Sequence, residues 1–436
     1  MAIRLIGILP TLSSLRTFQS LKHSGSAACL RHRRLLSMPS ATEPMNVLLY
    51  ADDLFGGNVL RELGAAMKKG DGIVNSLTIL TTCNREDRKS YAIAQWRKRK
   101  EIRPSKVLKL TPFLNMASSM NIPVYYLDDD RSFDRLKLAL KRDPNKFDIF
   151  VVCPTKKSLV AGILPKFPLG TIKIHPSLLP EYRGPSAIQY TILNEEKTTG
   201  VSIIDYTTPN DRGKILAQYP HRLTPATTYK TLSHDLSYLG SKLLIKTLEN
   251  LEVLMQKAKE QPQRKAATFS PPHIPDETMQ IVWEKMTAEE IYRMYRAFHG
   301  YLAIWTMWRR RGKMYRLFIN EMYLPDERVE PLSQNITHIV QCQDAPPGTV
   351  FFRRQVPYLE VPCIDGKRIH ITNVRVEGRT EKNAQEFTNG YLRINGTLRM
   401  LTDPVDCKKP VPKFVYPPGH RNEHKRQVII DDNTGF

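Results

Sequence analysis

The sequence predicts an α/β chain: a mostly parallel sheet covered by helices on both faces, followed by a smaller β-rich domain. Three observations carry this expectation. Between Asn46 and Tyr206, short near-continuous apolar runs alternate with helix-like stretches, the pattern of parallel strands buried on both sides. A polar, Pro-rich stretch, Gln261–Pro275, then reads as a linker. Beyond it short strands dominate Met314–Arg375, with turn signals at Pro346–Gly348 and Asp365–Gly366, as in a small, partly open β-barrel.

The elements follow in order. A strand at Asn46–Tyr50 leads through a turn at Ala51–Gly57 into a helix ending near Lys69. Strands follow at Ser76–Thr82 and Pro123–Leu127, then an amphipathic helix around Arg131–Lys141 and strands at Phe147–Cys153 and Thr171–His175. After a loop marked by Pro and Gly come a helix from Pro185 and a strand at Val201–Tyr206. From Thr227 to Lys259, Leu232, Leu236, Leu239, Leu243, Leu251 and Leu254 recur at helical spacing and form a packing face. Thr287 with Glu290 makes a capping box that opens a short helix. Pro410, Pro412, Pro417 and Pro418 lie among lysines in an extended tail. The expected divisions are therefore 1–40, 46–260, 261–275, 276–400 and 401–436, consistent with two or three domains for 436 residues.

Apolar residues make up 41% of the chain and charged residues 25%, which excludes wholesale disorder, collagen and coiled coil. Mean hydropathy is -0.38, and no apolar run approaches the roughly 18–20 residues of a membrane-spanning helix, so no membrane partner is expected. Residues 1–42 hold no acid, six Lys or Arg (Arg4, Arg16, Lys22, Arg31, Arg33, Arg34) and seven serines, the composition of an organellar transit peptide with cleavage near Arg34–Ser37. The net charge is +22, and without those six cations the remainder still carries +16. Such an excess favours a polyanionic partner. The six cysteines are far apart and no pair has CxxC spacing, so neither a metal site nor a disulfide framework is expected, and Cys153 reads as a core thiol in a reducing compartment.

Chemistry concentrates at one strand end. In Ile172-Lys173-Ile174-His175-Pro176-Ser177-Leu178-Leu179-Pro180-Glu181-Tyr182-Arg183-Gly184 a buried strand runs into a loop, which puts His175 where an α/β sheet holds its ligand. A second feature is Arg85–Lys109, with ten Lys or Arg against three acids and with Tyr91 and Trp96 among them. Such a stretch supplies phosphate affinity and stacking surfaces for nucleic acid. Arg309, Arg310, Arg311, Lys313 and Arg316 form a second basic cluster.

His-Pro-Ser-Leu-Leu-Pro followed by Arg-Gly resembles the signature of folate-dependent formyltransferases, and Thr199-Gly200-Val201-Ser202-Ile203 with Asp211-Arg212-Gly213-Lys214-Ile215-Leu216 resembles their second motif. Within that family the methionyl-tRNA formyltransferases are most similar, from Asn46 to about Leu392. Leu164-Pro165 matches their folate-side loop, and Ile281-Val282-Trp283, Thr287–Ile291, Arg296-Ala297-Phe298, Gly348-Thr349-Val350, Glu377-Gly378-Arg379 and Phe387-Thr388-Asn389-Gly390 match their second domain. The resemblance implies a Rossmann-like formyltransferase sheet with a C-terminal OB-like barrel. It implies a monomeric enzyme of the mitochondrial matrix that moves a formyl group from 10-formyltetrahydrofolate, without a metal, to the α-amine of methionine on initiator tRNA. His175 and Asp211 would be catalytic, Ser177, Leu178, Leu179 and Pro180 would shape the folate site, and Arg85, Arg88, Lys89, Arg97, Lys98, Arg99 and Lys100 would contact tRNA.

Two departures stand out. The family has Asn two residues before the His, where its amide donates to the developing oxyanion, and this chain has Lys173. Residues i and i+2 of a strand share a face, so Lys173 should point toward the site. There its ammonium can stabilise an oxyanion while disfavouring protonation of His175. Lys214 replaces a second acid. Two other readings therefore stay open: a formyltransferase acting on a small amine, and a tRNA-binding protein that kept the fold and lost catalysis.

Overall fold

The chain is seen in a computed structural model that describes residues 43–82 except 71, 111–127, 142, 143, 146–155, 167–207, 211–261, 274–325 except 311, 345–352, 356–392 and 398–401, with alternate residues from 134 to 140. The segments 1–42, 83–110 and 402–436, and with them the transit peptide, the basic stretch and the tail, lie outside the described residues, as does Leu164-Pro165.

Seven strands form the first sheet: β1 (Met45–Tyr50), β2 (Val74–Thr81), β3 (Val124–Tyr126), β4 (Ile149–Val152), β5 (Thr171–His175), β6 (Thr198–Asp205) and β7 (Ile215–Arg222). Their order is β3-β2-β1-β4-β5-β6-β7. The ladders are parallel from β3 to β5 and antiparallel from β5 through β6 to β7. The alternation of strand side chains separates two cores. Val47 and Leu49 join one apolar cluster, and Leu48 and Tyr50 join another on the opposite face. Burial of each such Leu or Ile contributes roughly 1.5–3 kcal/mol, an upper estimate.

The first face is covered by α1 (Leu54–Lys69) and α4 (Tyr229–Glu249), which pack on each other. Asp53 caps α1 by accepting from the Gly56 amide at 3.1 Å, and Gly70 ends it in the left-handed region. Two further helices are α2 (Pro112–Ser119), opened by a Thr111 cap, and α3 (Ala187–Leu193). The leucine-spaced stretch forms two helices, with Asn250 separating α4 from α5 (Leu251–Lys257). Neither α2 nor β7 is marked in the sequence reading. β7 carries Pro220 and a polar second half, which hides the apolar alternation of an edge strand.

The second sheet is antiparallel: β8 (Ile304–Arg310), β9 (Lys313–Tyr323), β10 (Thr349–Phe352), β11 (Leu359–Pro362), β12 (Arg368–Val376), β13 (Glu381–Asn383) and β14 (Leu398–Leu401). Pairings run β11-β10-β14-β8-β9-β12 and return from β12 to β11, which makes the sheet barrel-like, with β13 added beside β12. The sheet starts at Ile304, ten residues before the expected Met314. The β8–β9 hairpin is the reason, since Ile304 through Arg310 pair with Ile319 through Lys313. Gly348, at φ 85°, sits so close to the chain that an added Cβ would lie 2.6 Å from the Met400 carbonyl.

Helix α6 (Ala288–Phe298) opens with the Thr287–Glu290 capping box and packs against α3 and α4 of the first sheet. Arg293 pairs with Glu195 at 3.0 Å, Arg296 donates to the Thr227 carbonyl, and the Lys230 amide donates to the His299 carbonyl. Residues 44–436 group as one unit by backbone contacts.

Candidate active site

The chain leaves β1 toward β2 on one side and reaches β4 on the other, so the sheet has its topological switch point between β1 and β4. Ligands of such sheets bind beyond the carboxyl ends of the strands near that point. His175 is the last residue of β5, the strand beside β4, and its side chain is 1% exposed.

Two loops enclose His175. The loop after β5 returns Tyr182, whose carbonyl accepts from His175 Nε2 at 2.9 Å. Tyr182 holds φ 54°, in the left-handed region, and its hydroxyl donates to Glu196 at 2.6 Å and accepts from Asn194 at 3.1 Å. The β6–β7 loop brings Asp211, also left-handed at φ 54°, so that Oδ2 lies 3.4 Å from His175 Nδ1. Gly213 makes that approach possible, since a Cβ there would lie 1.5 Å from the Asp205 carbonyl oxygen. His175 and Asp211, 36 residues apart in the chain, are thus brought together.

Lys173 also reaches Asp211. Its ammonium pairs with Oδ1 and sits 4.9 Å from the centre of the Tyr206 ring. The strand-face argument therefore holds: Lys173 and His175 meet the same carboxylate. Burial pushes the Asp211 carboxyl up, but Lys173, His175 and Arg183 together outweigh it and hold the group below its ordinary value. Burial lowers the His175 pKa from 6.5; Asp211 opposes that shift, and Lys173 reinforces it. The Tyr182 carbonyl and the Asp211 carboxylate can both only accept, and the shorter contact, 2.9 Å against 3.4 Å, favours the proton of neutral His175 on Nε2 with Nδ1 as the basic nitrogen. On protonation Nδ1–H would face the Asp211 carboxylate.

Ser177, Leu178, Leu179 and Pro180 form the turn beside this group. The Ser177 hydroxyl donates to the Glu181 carbonyl at 2.6 Å. Ser202 donates to the Ser177 carbonyl at 2.6 Å and accepts from the Leu179 amide at 2.9 Å and from Gln218 at 2.8 Å. Gln218 also donates to the Leu179 carbonyl. These polar groups of Ser177 and Leu179 are therefore bonded within the protein, and Leu178 packs closely against Gly200.

Sequence reasoning missed three positioning residues. Ser202 lies in a quoted motif, but its serving of three partners at once depends on β6 lying beside β5. Gln218 lies on β7. Gln261, first residue of the segment read as a linker, is buried; its amide donates to the Asp211 and Gly213 carbonyls at 2.8 and 2.7 Å, and its oxygen accepts from Arg183. An antiparallel bridge between Ile215 and Lys259 delivers it there, and no local sequence signal marks it.

Arg85, Arg88, Lys89, Arg97, Lys98, Arg99 and Lys100 fall outside the described residues. In the second basic cluster, the Arg310 guanidinium lies over Tyr391 at 4.5 Å and Arg316 over Trp305 at 4.6 Å. Among the described residues no group of three or more His, Cys, Asp or Glu is placed to hold a metal, and no helix is long and apolar enough to cross a membrane.

Residues 92–248 match the family described as Formyl transferase, and residues 273–392 match Formyl transferase, C-terminal domain. The chain is 30% identical to the mitochondrial methionyl-tRNA formyltransferase of Homo sapiens, over 84% of this chain and 82% of that one. It is also 30% identical to the methionyl-tRNA formyltransferase of Enterococcus faecalis, over 65% of this chain and 83% of the other. Among solved structures, HypX from Aquifex aeolicus in complex with tetrahydrofolic acid superposes with a TM-score of 0.51 at 13% identity, covering 80% of this chain and 48% of that one. That likeness concerns the fold.

Proposed function

The chain belongs to the methionyl-tRNA formyltransferase family, and from that premise we propose that His175, aligned by Asp211, carries the transfer of a formyl group from 10-formyltetrahydrofolate to the α-amine of methionine on initiator tRNA. The observation that carries the assignment is a buried imidazole with one nitrogen tied to a carbonyl and the other facing a carboxylate at 3.4 Å. As the amine attacks the formyl carbon it must lose a proton. Neutral His175 can accept that proton at Nδ1, and Asp211 stabilises the imidazolium that results. The lowered pKa keeps the imidazole neutral and ready at neutral pH. The bond between the formyl carbon and N10 of the donor breaks in the same transfer, and the proton taken up by His175 passes to N10 as tetrahydrofolate leaves.

Ser177, Leu178, Leu179 and Pro180 fit a folate wall by shape and apolar surface, because Glu181 and Ser202 hold the hydroxyl and carbonyl of Ser177, and Ser202 and Gln218 hold the amide and carbonyl of Leu179. The net charge of +22 and the stretch from Arg85 to Lys100 support tRNA as the partner. The barrel-like second sheet and the basic cluster on β8–β9 are more than a small amine substrate requires. Relatives named as mitochondrial, together with the acid-free first 42 residues, support a mitochondrial enzyme. Placement in the matrix, action as a monomer, and a division into 46–260 and 276–400 around a linker complete the reading.

The test is transfer of a labelled formyl group from 10-formyltetrahydrofolate to mitochondrial Met-tRNA. Transfer by the protein and its loss in His175→Ala are the expected results. Met-tRNA binding by folded protein without transfer would sink the catalytic assignment and leave the RNA-binding alternative.

A further inference from the structure

The Asp211 carboxylate is shared. Lys173 takes Oδ1 and His175 faces Oδ2, so the two basic side chains of one strand face compete for a single anion. The geometry places the Lys173 ammonium differently from a free donor. It is already bonded to Asp211 and lies over the Tyr206 ring, and only 17% of the side chain is exposed. We propose that Lys173 is a positioning residue: by holding Oδ1 it aims Oδ2 of Asp211 at Nδ1 of His175, and it limits how much of the carboxylate charge the imidazole receives.

The consequence is electrostatic. A histidine paired with an unshared buried carboxylate would gain proton affinity from it, and part of its population would be imidazolium at neutral pH, unable to accept the amine proton. With Lys173 on the same carboxylate, His175 faces a pair of nearly zero net charge. The other groups around the imidazole leave that balance to these two residues. Arg183, on the loop after β5, adds a weaker positive charge. β6 presents the uncharged Ser202 opposite His175, and β7 presents Gln218. Tyr182 contributes a carbonyl and Tyr206 a phenol whose own pKa is raised by burial. Burial is the main cause of the lowered pKa of His175, and Lys173 is the cation that adds most to it, ahead of Arg183.

The proposal rests on the formyl-transfer reading for its importance, and its test is independent of that reading. The pKa of His175 is measured in the full chain without substrates, by the pH dependence of its ring 13C and 15N resonances, assigned by comparison with His175→Gln. Lys173→Met should raise the pKa by about one unit, tenfold in proton affinity, from the loss of one charge at short range in a site of intermediate dielectric. Lys173→Arg, which keeps a cation on the strand, should keep the wild-type value. The acid limb of kcat/KM should move up by the same amount in Lys173→Met, with a lower plateau because Asp211 is no longer held in place. An unshifted pKa in folded Lys173→Met overturns the proposal, and a rate lost equally at every pH points instead to direct oxyanion stabilisation. Should the Met variant fail to fold, Lys173→Gln provides the same comparison with a polar side chain. A shifted pKa in a protein whose wild type transfers no formyl group would uphold Lys173 and overturn the reaction.

Discussion

Asp211→Asn isolates the charge at the centre of the site. Asn has nearly the shape of Asp and tolerates the left-handed φ of 54° that residue 211 adopts, so the β6–β7 loop should keep its path. The carboxylate that pairs with Lys173 and faces His175 is lost while its side chain stays 4% exposed. Removing one member of a buried pair costs about 3–5 kcal/mol when both are fully buried, and the partial exposure of Lys173 lets its ammonium recover some hydration, which brings the expectation to about 2–3 kcal/mol. The assay is urea unfolding, in which the midpoint should fall without a change in slope. Its pH dependence is a second check. The Asp211 carboxyl is held below its ordinary 3.8, so its contribution is complete above the unfolded value and disappears as pH falls through the folded one. The gap between wild type and variant should therefore be constant from about pH 7 to 8, where neither Asp211 nor His175 titrates, and shrink as pH falls below about 4. Formyl transfer should fall by about 100-fold or more, the lower range for a displaced proton acceptor. An unfolding free energy within about 0.5 kcal/mol of wild type at neutral pH would refute the reasoning, because that is the scatter of surface substitutions.

Gly213→Ala should destabilise the protein by about 1–3 kcal/mol and lower transfer more than tenfold, since a Cβ 1.5 Å from the Asp205 carbonyl must displace the loop that carries Asp211; thermal unfolding and the transfer assay check both. Ser202→Ala leaves the Ser177 carbonyl, the Leu179 amide and Gln218 without their shared partner, at a cost of about 1–3 kcal/mol, and steady-state kinetics should show a raised KM for the formyl donor. Replacing Arg97, Lys98, Arg99 and Lys100 by Ala should reduce the slope of log Kd for tRNA against log salt by about three if all four meet phosphates. An unchanged slope in a salt titration would remove that stretch from the interface.

Much of this was readable along the chain. Apolar runs located β1, β2, β4, β5 and β6 within a few residues, because a strand covered on both faces must be apolar throughout. The capping box at Thr287 and Glu290 announced α6, a signal that resides in four consecutive residues. His175 stood out because a strand end in such a sheet is a place for ligands, and the period of two put Lys173 on its face. β7 and β8 were harder. Pro220 and His221 interrupt the first, and Arg309 and Arg310 made the end of the second read as a basic surface.

The sequence by itself determined which residue types were available and on which strand face they would stand. Only the tertiary structure decided that Asp211 would meet Lys173 and His175 at once, that Gln261 would hold the backbone of the loop from below, and that Ser202 would tie the neighbouring turn. Asp211, Gln261 and Ser202 lie tens of positions from the groups they hold, and no local periodicity relates them to those groups. Their energies also arise only on closure. Lys173 and Asp211 in water interact weakly, and it is removal of solvent by the packed loops that turns a charge on a strand into control over a neighbouring imidazole.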